Sequence, residues 1–276
     1  SSRVSFLEGL FIYGWAEGVL AMPRGLAVSR PTWEGFDGYA EVYDDVQKVE
    51  SFHTLAHDGV LDDLMHQVVG PTAFPHPLKV ARLAFPSNPE ISTPPHQDYP
   101  NNQGTDRLLA TWIPLGDIPV RLGGLAILRG SHRYGVLPLA PHPGPGGRQA
   151  VLPPEMIEEC RWVTTDFTLG DVLCFPSKTV HASLHNSSEL YMRLSVDFRW
   201  QLEGEALTPI TLEPHFQRLS WEQVYEGWSS TEHQYYWRDL DYEVVPFESL
   251  SPELDQDDLD DPTADLVAEV QARMAA

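Results

Sequence analysis

The chain has 276 residues, 42% of them hydrophobic and 11% aromatic with eight Trp, enough apolar mass for one large β-rich domain with helical decoration. Its formal net charge of −22 makes a surface that repels phosphate backbones, so nucleic acid is not an expected partner. Two cysteines, Cys160 and Cys174, make no disulfide framework, and no apolar run nears the roughly 18 residues of a membrane span.

Residues 1–50 mix aromatics with Gly and Pro and show no clean period. Residues 51–69 read as a helix: Leu61, Leu64, Met65 and Val68 recur at i, i+3, i+4 and i+7. Asp58 is the candidate N-cap, Asp62 and Asp63 favour the positive end of the helix, and Gly70-Pro71 stops it. From 78 to 200 the pattern becomes short apolar or alternating runs, at 79–85, 108–113, 125–128, 172–175 and 191–200, divided by Pro, Gly, Asn and Asp. Such spacing predicts an antiparallel sandwich or barrel. The stretch 138–148 holds four prolines and reads as a loop, either plain or a cover over a site.

The last predicted strand alternates strictly. Met192, Leu194, Val196, Phe198 and Trp200 form one face, and Tyr191, Arg193, Ser195, Asp197 and Arg199 the other. The apolar face is expected to pack on helices or a second sheet, the polar one to look into a barrel mouth. Residues 201–250, rich in Trp, Tyr and Glu, read as a helix-and-loop addition. The acidic run 253–261 reads as a solvated linker or helix start. One domain over 1–250 is therefore expected, with its core at about 78–200 and an acidic tail over 251–276. The cysteines suit a reducing compartment, and no signal peptide is visible, so a cytoplasmic location is expected. The chain begins at Ser1 rather than Met, which leaves a trimmed start open.

One constellation carries chemistry. His96-Gln97-Asp98 follows Pro94-Pro95, and His181 comes 83 residues after Asp98. On a strand, His96 and Asp98 share one face and Gln97 points away. Two imidazoles and a carboxylate fill one face of a six-coordinate ion and leave the other open, the arrangement of non-haem Fe(II) oxygenases. Arg193, 12 residues past His181, is placed to anchor an organic acid chelated to the same metal. Read singly, His96 and Asp98 make only a surface pair and His181 a buried structural histidine. His185 reads as a turn residue, and His132 as structural.

Four segments in order resemble the phytanoyl-CoA dioxygenase-like family of Fe(II)- and 2-oxoglutarate-dependent oxygenases, over roughly 79–200. They are Pro95-His96-Gln97-Asp98, then Thr111-Trp112-Ile113-Pro114-Leu115, then Gly123-Gly124-Leu125 through Gly130-Ser131-His132. The last is Gly170-Asp171-Val172 followed by His181-Ala182-Ser183, Asn186 and Arg193. The resemblance implies a double-stranded β-helix (jelly-roll, cupin-like) core with flanking helices. It implies iron held by His96, Asp98 and His181, and 2-oxoglutarate held by Arg193 and Ser183. With O2 as the second cosubstrate, it implies hydroxylation or a related oxidation of a small molecule, releasing succinate and CO2. The family commonly sets its Arg eleven residues after the distal His. Here the interval is twelve, so Arg199 is the fallback anchor.

Candidate substrate contacts are Arg82, Trp112, Tyr99 and Asn102. Against these stand plainer readings: an ion pair for Arg82, core packing for Trp112, and no substrate contact for Tyr99 and Asn102. Two rival functions remain, a non-catalytic jelly-roll binding protein and a cupin-type metal-dependent hydrolase or isomerase.

Overall fold

A computed structural model describes residues 39–86, 92–188, 191–248 and 250, together with a short antiparallel pair, β1 (Leu20–Ala21) and β2 (Val28–Ser29). The acidic tail at 251–276 lies outside the described residues.

Helix α1 (Tyr39–Gln47) buries Tyr39, Val42, Tyr43 and Val46, one stripe at helical spacing. The single helix expected at 51–69 is divided. α2 (Glu50–Thr54) runs into a 3-10 turn (Leu55–His57), the chain extends at Asp58, and α3 (Gly59–Val68) starts afresh. Asp58 is the N-cap, as its sequence position implies: its side chain accepts a hydrogen bond from Val60 N at 3.2 Å. The expected stripe is only half used. Leu61 and Met65 are buried, whereas Leu64 and Val68 are 36% and 49% exposed, because α3 meets the core along one edge.

The strands that follow are β3 (Ala73–Pro75), β4 (Val80–Ala84), β5 (Leu109–Pro114), β6 (Leu125–Arg129), β7 (Leu139–Pro141), β8 (Arg148–Ala150), β9 (Arg161–Val163), β10 (Leu173–Pro176), β11 (His181–Ser183), β12 (Arg193–Leu202), β13 (Ala206–Leu207) and β14 (Glu243–Val244). The larger sheet is antiparallel, in the order β10-β5-β12. β4 and β3 share the far edge of β12, pairing with its first and last parts. The smaller sheet is β11-β6-β9, also antiparallel. Ala110, Trp112 and Phe175 of the larger sheet meet Leu125 of the smaller, with Ile118 and Phe167 between. The result is an open jelly roll, mainly β with flanking helices.

β12 is buried from Arg193 through Gln201. Its apolar side chains join the helices in the largest cluster, with Phe52, Leu55 and Met65 against Val196, Phe198 and Trp200. Each such side chain contributes about 1.5–3 kcal/mol by leaving water. The stretch expected as a loop at 138–148 is a hairpin: β7 and β8 pair at its ends, and only 142–147 is turn. Pro141 is tolerated at the end of a short strand in a two-stranded pair. Residues 203–248 form short helices, loops and the β13–β14 pair, gathered around Trp221, Tyr225 and Trp237.

Candidate active site

The segment 93–99 runs antiparallel beside β11. His96 and His181 exchange both backbone hydrogen bonds at 2.9 Å, Ser183 N donates to Thr93 O at 3.1 Å, and Tyr99 N donates to Ser177 O at 3.0 Å. Buried side chains lock that register. Gln97 points away from the metal face, as expected. Its Nε2 donates to Lys178 O at 2.6 Å and Gly135 O at 2.8 Å, while its Oε1 accepts from Leu137 N. Ser131 Oγ accepts from Val180 N at 2.8 Å and fixes the residue before His181.

His96 and Asp98 do not share a strand face. His96 sits in an isolated bridge, and Asp98 is in the right-handed helical region at the N-cap position of a short helix, α4 (Tyr99–Asn102). The backbone carbonyl of Asp98 takes the helix donors, including Asn102 Nδ2 at 2.8 Å. Its carboxylate caps nothing and turns inward. Asp98 Oδ1 lies 4.0 Å from His96 Nε2 and 3.9 Å from His181 Nε2, no further than two metal–ligand bonds of roughly 2.0–2.2 Å.

The imidazoles are oriented from behind. His96 Nδ1 donates to Pro94 O at 2.8 Å and His181 Nδ1 to Thr179 O at 3.0 Å, leaving both Nε2 lone pairs for an ion. Burial drives the His96 pKa down to about 3 and lowers that of His181, so both rings are neutral donors. Burial alone would raise the Asp98 carboxyl. The Arg199 guanidinium, 2.6 Å away, outweighs it and holds the group ionised. Asp98 Oδ2 is buried without a hydrogen-bond partner among the described residues, an acceptor that a cation would satisfy. A ferrous ion therefore fits this donor set.

Arg193 is buried beside the triad. It donates from Nη2 to Ser183 Oγ at 3.0 Å, from Nη1 to Ser195 Oγ at 2.8 Å and from Nε to Gly123 O at 3.0 Å. Burial pulls its pKa down to about 10, still charged at neutral pH. Gly123 is needed there: its φ is +76° and a Cβ would run into Leu184 O. Arg193 and Ser183 line a small cavity of about 60 Å³ with Tyr39, Tyr43 and His215. The fallback anchor, Arg199, is held instead on Asp98, with Nη2 2.6 Å from Oδ1.

A larger cavity of about 270 Å³ opens on His96 and Asp98 and is lined also by Arg82 and Asn102. Arg82 Nε donates to Asp197 Oδ2 at 2.8 Å, so this arginine is both ion-paired and cavity-facing. Trp112 packs on Phe167 between the sheets and faces a tight space beside His96 and Asp98. Tyr99 lies elsewhere, its ring 4.8 Å from Lys178 Nζ.

Sequence reasoning did not single out Arg148, His215 or Phe216, which also line the larger cavity. The last two come 13 and 14 residues after the end of β12. Phe216 adopts φ +66°, a conformation that a bulky side chain does not advertise.

No curated protein matches the chain. Several solved structures align with the chain at low identity. The epimerase SnoN from nogalamycin biosynthesis is 18% identical, over 74% of each chain, with TM-score 0.48. The non-heme monooxygenase ThoJ is 14% identical, over 99% of this chain and 89% of the other, with TM-score 0.46. EctD from S. alaskensis, with 2-oxoglutarate and 5-hydroxyectoine, is 18% identical, over 60% and 55%, with TM-score 0.43. The sequence profile of the phytanoyl-CoA dioxygenase family matches residues 25–194, which is 170 of 276 and spans the triad and Arg193. On that match the chain belongs to the phytanoyl-CoA dioxygenase family, and its cofactors are Fe(II), 2-oxoglutarate and O2.

Proposed function

We propose that this chain is a dioxygenase that hydroxylates an unactivated C–H bond of a small molecule, with release of succinate and CO2. The observation that supports it most is the buried triangle of His96 Nε2, His181 Nε2 and Asp98 Oδ1, open to a cavity on one side and flanked by a buried arginine. Iron with 2-oxoglutarate and O2 supplies the oxidising power for C–H cleavage. The residues supply everything that places it. His96, Asp98 and His181 are the metal ligands, held by Pro94 O, Thr179 O and the Gln97 network. Arg193 and Ser183 take the distal carboxylate of 2-oxoglutarate, in a setting where burial strengthens an arginine–carboxylate pair. A carboxylate at Asp98 fills the third protein position and leaves no place for a halide, which favours hydroxylation over halogenation.

Arg82, Trp112 and Asn102 are the substrate contacts in this reading, while Tyr99 acts through α4 rather than through its ring. Cys160 and Cys174 are free thiols, which suits the cytoplasm. No described helix is long and apolar enough to cross a membrane.

The test is an anaerobic titration of Fe(II)-loaded protein with 2-oxoglutarate, followed by visible charge-transfer absorption, with Arg193→Ala in parallel. A band that weakens in the variant, with succinate released in air, is expected. No band from folded, iron-loaded protein would sink the reading.

A further inference from the structure

The walls of the larger cavity carry charge of the opposite sign to the chain as a whole. Acids outnumber bases 40 to 18, so a charged residue taken at random is acidic about twice in three. Among the described residues the cavity inverts this: Arg82, Arg148 and Arg199 line it against Asp98, and Asp98 belongs to the triad. Arg82 is matched by Asp197. Arg199 is paired with Asp98 but only partly satisfied. Its side chain is 4% exposed, and only Nη2 is hydrogen-bonded, to Asp98. Nε and Nη1 are buried with no hydrogen-bond partner among the described residues. Nη1 lies 3.7 Å from Asp197 Oδ2, near enough to feel the charge and too far for a hydrogen bond. Buried donors left unmet are unfavourable, and an oxyanion in the cavity would satisfy them. Arg148, exposed on β8, brings a second guanidinium to the same cavity. Leu78, Val80, Ile210 and Phe216 make much of the remaining wall apolar.

We propose that the primary substrate carries a carboxylate or phosphate on an otherwise apolar body, and that Arg199 and Arg148 bind this group beside the triad. Calling the bound molecule a substrate rests on the dioxygenase reading above; the binding itself does not.

The test uses the full chain loaded with Ni(II) and saturating 2-oxoglutarate, which keeps Arg193 occupied. Binding of three matched probes is measured by calorimetry: 3-phenylpropanoate, its primary amide, and 2-phenylethyl phosphate. At least one anion is expected to bind about tenfold or more tightly than the amide, as a charge-assisted hydrogen bond implies. Whichever anion prevails identifies the group. Arg148→Gln and Arg199→Lys are each expected to shrink that preference severalfold. Arg148 is exposed, so its variant stays informative should the buried Arg199 variant misfold. The proposal is overturned if neither anion outbinds the amide, including the case where none of the three binds. It is equally overturned if the preference survives in every variant that folds. An anion preference without the iron charge-transfer band would retain the binding site and remove the dioxygenase reading, so the two fail separately.

Discussion

The two faces of β12 are built from alternating residues of one strand, yet they do opposite work. Leu194, Val196, Phe198 and Trp200 face the helices in a dry, well-filled cluster. Arg193, Ser195, Asp197 and Arg199 face the interior of the jelly roll and are just as buried, but their partners are charges, hydroxyls and cavity space. The first face holds the fold together. The second keeps charge out of water, where each unmet donor or acceptor is a liability unless a ligand meets it. One strand thus separates stability from chemistry at a spacing of one residue.

The largest effect expected from breaking that division is on the chemical side. His96→Ala removes one of the three proposed metal donors and is expected to lower Fe(II)-dependent succinate release by at least about a thousandfold, several kcal/mol of barrier. Circular dichroism should show a retained fold, because Gln97 and the backbone bridge hold the segment without the imidazole. Turnover near the parent rate would remove His96 from the ligand set.

Phe198→Ala tests the other face. The side chain is fully buried against Phe52 and the helices. Its truncation should cost about 3–5 kcal/mol in urea unfolding, while activity per folded molecule stays near that of the parent. A large change in activity of the folded fraction would mean that the two faces are coupled.

Acid comes next. Burial lowers the pKa values of His53 and His215 to about 3 and that of His76 to about 4. In the unfolded chain these groups titrate near 6.5, so below that pH the unfolded state binds protons that the folded state refuses. The histidine contribution is therefore full above about pH 6.5 and falls with pH down to the folded values. By pH 5 the loss is roughly 2 kcal/mol per group. Lys79, buried beside Tyr236 and lowered to about 7, acts in the same sense between its folded value and its unfolded value near 10.5. Urea midpoints at pH 7.5, 6 and 5 read the slope. A flat profile would mean that these histidines are hydrated rather than buried neutral.

Much of this division can be read directly from the residues. Strict alternation from Met192 to Trp200 marks both faces of β12, and the His96, Asp98 and His181 spacing marks the triad, because period and donor type are local properties. What escapes is whatever tertiary context decides. Asp98 reads as a strand residue but sits in a helix N-cap position, since α4 begins only once Ser177 O has taken the Tyr99 N–H. Leu64 and Val68 fit the helical period and are still exposed, because α3 buries only Leu61 and Met65. The arginine-lined cavity is hidden by the acidic total, since net charge is a sum and a cavity wall is a selection.

Ser195 gives the finest test of the comparison. It sits between Leu194 and Val196 of the apolar face, and its Oγ accepts from Arg193 Nη1 at 2.8 Å. Ser195→Ala deletes one hydroxyl from a buried site, so urea stability should fall by only about 1 kcal/mol. Arg193 then loses one of three supports while Ser183 Oγ and Gly123 O still hold it. The expected result is a rise of about fivefold in KM for 2-oxoglutarate with kcat nearly unchanged, well short of the effect of Arg193→Ala. That split separates positioning from packing, because a hydroxyl that merely filled space would move the urea midpoint and leave KM alone.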